Sequence, residues 1–163
     1  QNIGNYFTKT AYQNKKKIAL VIDDNEFTFF ELERRANKIC NYFISKKITL
    51  NNSVCISLKK SFDTFSIIIA CTKLGINYAF LDRLAPKKRS LKIIQSLKPK
   101  LIIHDSTKNL PKLNVEFLEI NLLRKKTKNF SEKLNIDKIN EVNGNTIAYT
   151  MFTSGSTGNP KGV

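Results

Sequence analysis

Ten residues, Thr153-Ser154-Gly155-Ser156-Thr157-Gly158-Asn159-Pro160-Lys161-Gly162, gather four hydroxyls, three glycines and one lysine. Each type suits an anion with many oxygens. Glycines reach positive φ and let backbone N–H groups approach closely, hydroxyls donate to phosphate oxygens, and lysine adds a mobile positive charge. Together they fit a polyphosphate. The string is not a Walker loop, because Pro160 stands where the second glycine is needed and no Lys-Ser or Lys-Thr pair follows. Nor is it GxGxxG. The plainer alternative is a Gly/Ser turn joining two strands, with no ligand.

The other chemically capable residues read as structural. His104 is the only histidine and ends the apolar run Leu101-Ile102-Ile103, with no Ser or Cys nucleophile evident beside it. A satisfied structural imidazole is the expectation. Asp23-Asp24 and Asp63 fit turn and helix-start preferences better than metal binding. Cys40, Cys55 and Cys71 stand singly in apolar segments, without CxxC spacing, so reduced buried thiols are expected rather than a disulfide or a zinc site. No catalytic residue and no metal ligand is assigned.

These residues need elements to hold them. Lys17 to Ile22 reads as a buried strand, turned by Asp23-Asp24-Asn25 into a hairpin leading to Phe27. Thr28 and Glu31 form a capping box, and Phe29, Leu32, Ala36, Ile39 and Phe43 recur at helical spacing. Val54 to Leu58 is a strand. Ser61 caps a second helix with Phe62, Phe65, Ile69 and Thr72 on one face, ended by Gly75. Tyr78 to Leu81 follows as a strand, and Pro86 starts a third helix carrying Leu91, Ile94 and Leu97. Lys98 precedes Pro99 and is biased out of the helical region. Leu101 to Ile103 and Val115 to Ile120 read as strands. Arg124 to Asn145 reads as a polar connection with one short helical turn near Glu132 to Asn135. Thr146 to Thr153 reads as a buried strand with apolar side chains on both faces. The alternation predicts an α/β fold, a largely parallel sheet with flanking helices.

Phe152-Thr153-Ser154-Gly155-Ser156-Thr157-Gly158-Asn159-Pro160-Lys161-Gly162-Val163 resembles the phosphate-loop motif of the adenylate-forming superfamily, which includes acyl-CoA synthetases, luciferases and the adenylation domains of nonribosomal peptide synthetases. Two earlier segments match in order. Phe27-Thr28-Phe29-Phe30-Glu31-Leu32, continuing through Arg34-Arg35-Ala36-Asn37, is similar to the family's early motif, which carries no chemistry. Lys73-Leu74-Gly75-Ile76-Asn77-Tyr78-Ala79-Phe80-Leu81-Asp82, with Pro86 and Arg89, resembles the next. Phe80 and Arg83 stand where peptide-synthetase-type members usually have proline.

The resemblance implies that residues 1–163 are the N-terminal part of a large AMP-binding domain, reaching just past the phosphate loop. It implies ATP-dependent activation of a carboxylic acid, an amino acid in the nearest branch, as an acyl-adenylate. The acyl group then passes to the thiol of a phosphopantetheinyl carrier protein, or to coenzyme A if the chain is an acyl-CoA synthetase. Thr153, Ser154, Ser156, Thr157 and Lys161 are placed around the β- and γ-phosphates of ATP, with Gly155 and Gly158 shaping the loop and magnesium bridging the phosphates. In this superfamily the adenine pocket, the acid pocket and the lid lysine lie downstream, so residues 1–163 alone are expected to be inactive.

A net charge of +15 admits a rival of another class, a non-catalytic module that binds nucleic acid. The excess is mostly lysine in short scattered runs such as Lys15-Lys16-Lys17 and Lys87-Lys88, with no arginine-aromatic stripe and no DNA- or RNA-reading motif. The pattern argues against that rival. No apolar run reaches the roughly 18 residues of a membrane span, and Gln1 to Gly4 lacks the order of a secretory signal. A cytoplasmic protein without membrane contact is expected.

Overall fold

In the computed structural model, which describes residues 2–135, 137, 142–154 and 160–163, the chain opens with α1 (Ile3–Gln13). A hairpin follows, β1 (Ile18–Ile22) paired antiparallel with β2 (Asn25–Thr28). Asp23 and Asp24 both have positive φ, 48° and 62°, as a two-residue turn between right-twisting strands requires. Thr28 then caps α2 (Phe29–Ser45): its hydroxyl accepts from the Glu31 N–H while its own N–H donates to Glu31 Oε2 at 2.8 Å. The predicted capping box is present.

The central sheet alternates with helices. β3 (Ser53–Ser57), α3 (Phe62–Leu74), β4 (Asn77–Phe80), α4 (Lys87–Leu97), β5 (Leu101–His104), β6 (Glu116–Glu119) and α5 (Ile120–Thr127) succeed one another. The four strands lie in the order β4-β3-β5-β6, and every pair is parallel. Side chains two apart along a strand share a face, and this sorts the core into two layers. Val54, Ile56, Leu101, Ile103 and Leu118 face α2, α3 and α5, whereas Cys55 and Ile102 face Ile93 and Ile94 of α4. The sheet is therefore covered on both sides, as parallel sheets are.

α3 begins at Ser61, whose hydroxyl accepts from the Thr64 N–H, and ends at Gly75 in the left-handed region with φ 62°. A Cβ on Gly75 would also lie 2.6 Å from Leu50 Cδ1. Only glycine fits both demands. The buried face of α3 differs from the expected one. Ile67, Ala70, Cys71 and Leu74 are buried, whereas Phe62, Phe65, Ile69 and Thr72 are only partly so. This helix is apolar nearly all round, and close contact with the sheet selects the smaller side chains of Ala70 and Cys71 over phenylalanine.

Four other expectations are corrected. β1 is not a buried strand: Ile18 and Val21 are exposed and its other residues only partly covered, since it pairs with β2 alone, outside the main sheet. Arg124 to Thr127 is not connection but the last turn of α5, which buries Ile120, Leu123 and Thr127. Two turns with so few apolar anchors give almost no periodic signal. Residues 132–135 form no helical turn; α2 holds the backbone here instead, with Asn37 donating to the Glu132 carbonyl and Asn41 to those of Ser131 and Lys133. Thr146 to Thr153 is not a buried strand. Ile147, Tyr149 and Met151 are 61%, 52% and 58% exposed, and only the alternate side chains pack inward. Its one bridge to the main sheet joins Tyr149 to Tyr78 on β4, so a single face is covered.

Charged groups also tie the helices together. Lys73 is fully buried on α3 and donates to Glu33 Oε1 at 2.6 Å and to Asn37 Oδ1 at 2.7 Å, both on α2. Thr8 of α1 donates to the same carboxylate. Asp63 accepts from Arg35 of α2 at 2.8 Å and Arg124 of α5 at 2.6 Å. Because a buried charge stripped of its partner is worse than none, Glu33→Leu should cost about 3–5 kcal/mol, and Glu33→Leu/Lys73→Met clearly less. Urea unfolding of both variants checks this; a double variant less stable than the single one would contradict it.

His104 closes β5, 6% exposed, against the Phe117 ring. Burial lowers its pKa below the ordinary 6.5, with Glu119 and Asp105 opposing. The unfolded chain thus takes up a proton at a pH where the folded chain does not, so stability falls with acid across the window just below 6.5. An NMR titration of this sole histidine should give a midpoint below 6.5, and His104→Gln should flatten the fall in Tm between about pH 5 and 7. A midpoint at or above 6.5 would refute this.

Candidate functional site

The two ends of the polyphosphate-type sequence lie in paired strands. β7 (Phe152–Ser154) pairs antiparallel with β8 (Pro160–Gly162) in the register Phe152↔Gly162, Thr153↔Lys161 and Ser154↔Pro160. Reciprocal bonds between Met151 and Val163, 3.0 and 2.9 Å, close its open end. A Cβ on Gly162 would meet Thr150 Cγ2 at 2.9 Å and Phe152 Cε1 at 3.3 Å, so the strands need glycine to lie this close. Gly155, Ser156, Thr157, Gly158 and Asn159 lie outside the described residues. Of Ser154 only the backbone is described.

Phe152 packs against the α4 side of the core. Period two then sends Thr153 outward, and its cross-strand neighbour Lys161 lies on the same face. Both are exposed. The structure thus sets one predicted hydroxyl and the predicted ammonium side by side at the root of the loop.

The hairpin hangs from β4 by a short extended stretch. Thr150 N–H donates to the Tyr78 carbonyl at 2.9 Å, its hydroxyl donates to Asn77 Oδ1 at 3.0 Å, and the Tyr78 and Tyr149 rings stack at 5.8 Å. On the other side stands α4. Its first turn is Lys87-Lys88-Arg89, with no acidic residue and no side-chain cap. Lys88, Arg89 and Lys92 line a cleft of about 350 Å³ together with Pro86 and Pro160.

Sequence reasoning missed this basic group. Cations in a first turn oppose the helix dipole, where acids are favoured. Such a local violation marks a position chosen for something other than helix stability, and the Lys-Lys-Arg run after Pro86 was the available signal.

The remaining candidates lie elsewhere. Asp63 is committed to its two arginines, and Asp23 and Asp24 form the first turn. Burial pushes the Cys40 and Cys55 thiols up to about 12, and Cys71 upward too, so none is a ready nucleophile at neutral pH. Among the described residues no three His, Cys, Asp or Glu side chains gather to hold a metal ion. No helix among them is long and apolar enough to cross a membrane.

Comparison with known proteins bears on this arrangement. The family model described as AMP-binding enzyme matches residues 7–163. Gramicidin S synthase 1 of Brevibacillus brevis is 29% identical over 166 residues, which is 100% of this chain but 15% of that protein. Among solved structures, the Klebsiella oxytoca NpsA N-terminal subdomain in complex with 3-hydroxyanthranilyl-AMSN has a TM-score of 0.83 at 19% identity, covering 100% of this chain and 40% of that one. A Mycobacterium tuberculosis fatty acyl CoA synthetase has a TM-score of 0.85 at 18% identity, covering 99% and 34%. The two structures share the fold, and with the family match over nearly the whole length the chain belongs to the AMP-binding enzymes, the adenylate-forming superfamily.

Proposed function

We propose that residues 1–163 are the N-terminal part of a large adenylate-forming domain and that the β7–β8 hairpin carries its site for the triphosphate of ATP. One observation carries the reading: the register sets Thr153 beside Lys161 on an exposed face at the root of a Ser/Gly loop, next to the cationic first turn of α4.

The hydroxyls of Thr153, Ser154, Ser156 and Thr157 would donate to oxygens of the β- and γ-phosphates. Gly155 and Gly158 let loop N–H groups approach, and Lys161 offsets charge. Holding the pyrophosphate end leaves the α-phosphorus open to a carboxylate oxygen. That oxygen forms the new P–O bond, the bond to the β-phosphate breaks, and pyrophosphate leaves with the electron pair. The chain's contribution is positioning and stabilisation of charge on the leaving group. Magnesium, when bound to the nucleotide, supplies further neutralisation of its phosphates; the described residues offer no carboxylate cluster to hold it, so no step is assigned to it here.

The acid is proposed to be an amino acid and the acceptor a phosphopantetheinyl carrier-protein thiol. Tyr78 to Asp82 with Pro86 and Arg89 supports that branch, as does the likeness to gramicidin S synthase 1. A second reading, transfer to coenzyme A as in an acyl-CoA synthetase, is supported by the likeness in fold to the mycobacterial enzyme.

In a protein spanning the full family domain, amino-acid-dependent ATP–pyrophosphate exchange is expected. Exchange with fatty acids and no amino acid would favour the second reading. Thr157→Ala removes a donor to a charged acceptor, worth about 1.5–3 kcal/mol, or roughly ten- to a hundredfold in kcat/KM for ATP. Lys161→Ala is expected to cost less, because Lys161 is exposed to screening solvent. Both variants within about twofold of the parent would remove the hairpin from the phosphate site.

A further inference from the structure

α4 touches both strands of the hairpin. From its first turn, Arg89 Nη2 donates to the Phe152 carbonyl oxygen at 3.3 Å, across 63 residues of chain. From the same turn, Pro86 faces Pro160 of β8 across the basic cleft. Arg89 also lines a second, more apolar cleft of about 370 Å³ that includes Tyr78, Tyr149, Met151 and Phe152. Its stem therefore runs between the two clefts, with its guanidinium at the strand from which the loop departs.

Elsewhere the hairpin is lightly held. Among the described residues, its strands bond to one another, and the bridge to the main sheet is at Tyr149, three residues before Phe152. A loop that must present donors to phosphate oxygens loses rate steeply when misplaced by about an ångström. A charge-assisted bond to the Phe152 carbonyl, in the strand that leads into the loop, is a direct way to fix its origin.

We infer that Arg89 is a positioning residue for the phosphate-binding hairpin, acting through the Phe152 carbonyl rather than by touching the acid or the reacting phosphorus. This deepens the proposed function and rests on the hairpin holding the triphosphate.

The test uses a protein spanning the full family domain, with Mg-ATP affinity by calorimetry and pyrophosphate exchange as separate readouts. Arg89→Met keeps an apolar stem without a donor, and Arg89→Lys keeps a donor on a stem of similar length. Arg89→Met should raise KM for ATP about tenfold, with KM for the acid and Tm nearly unchanged, and Arg89→Lys should recover to within about threefold of the parent. Should Arg89→Met fail to fold, Arg89→Gln, whose amide falls short of the carbonyl, serves the same comparison. An ATP KM within about twofold of the parent overturns the inference while leaving the proposed function standing. So does a loss shared equally by ATP and acid with a lowered Tm, which would make Arg89 a residue of the fold. A parent that does not bind Mg-ATP overturns the proposed function, and this inference with it.

Discussion

A parallel sheet has to be covered on both faces, because its crossover helices and apolar strands leave no side for water. In this chain that constraint is written into β3 and β5, where Cys55 and Ile102 point one way and Val54, Ile56, Leu101 and Ile103 the other. α2, α3 and α5 take one face. α4 takes the opposite one, and the hairpin that carries the candidate phosphate loop rests against it through Phe152. The site's location follows from which residues of two short strands are odd and which are even. Moving β3 by one residue would exchange the layers and leave the hairpin without its support.

The two halves use charge differently. Between the helices, charges are paired: fully buried Lys73 with Glu33 and Asn37, and buried Asp63 with Arg35 and the half-exposed Arg124. These networks fix the relative placement of α1, α2, α3 and α5. At the hairpin exposed Lys88 and partly buried Arg89 and Lys92 line one cleft, at some expense to the helix that bears them. Paired charge between the helices and a basic cleft beside the β7–β8 hairpin is a distribution that suits a polyphosphate.

The sequence was most readable where local chemistry and global fold agree. The Asp23-Asp24 turn, the Thr28–Glu31 cap, the Ser61 and Gly75 ends of α3 and the parallel alternation all form as their residues require. It was least readable where a partner elsewhere decides. The face of α3 is chosen by contact with the sheet, the backbone of residues 131–133 is held by Asn37 and Asn41, and α5 is a two-turn helix sustained by burial of Ile120 and Leu123. At the site, the pattern of hydroxyls and glycines was legible from spacing alone. The contribution of α4 was not, because Arg89 and Phe152 meet only after the fold brings them together.

The central claim is that the β7–β8 hairpin receives the triphosphate of ATP. Amide hydrogen exchange in a protein spanning the full family domain, with and without Mg-ATP, tests it most directly. The account predicts slowed exchange across residues 151–163, with the buried amides of β3 and β5 little changed. Unaltered exchange in the hairpin while ATP is bound elsewhere would contradict it.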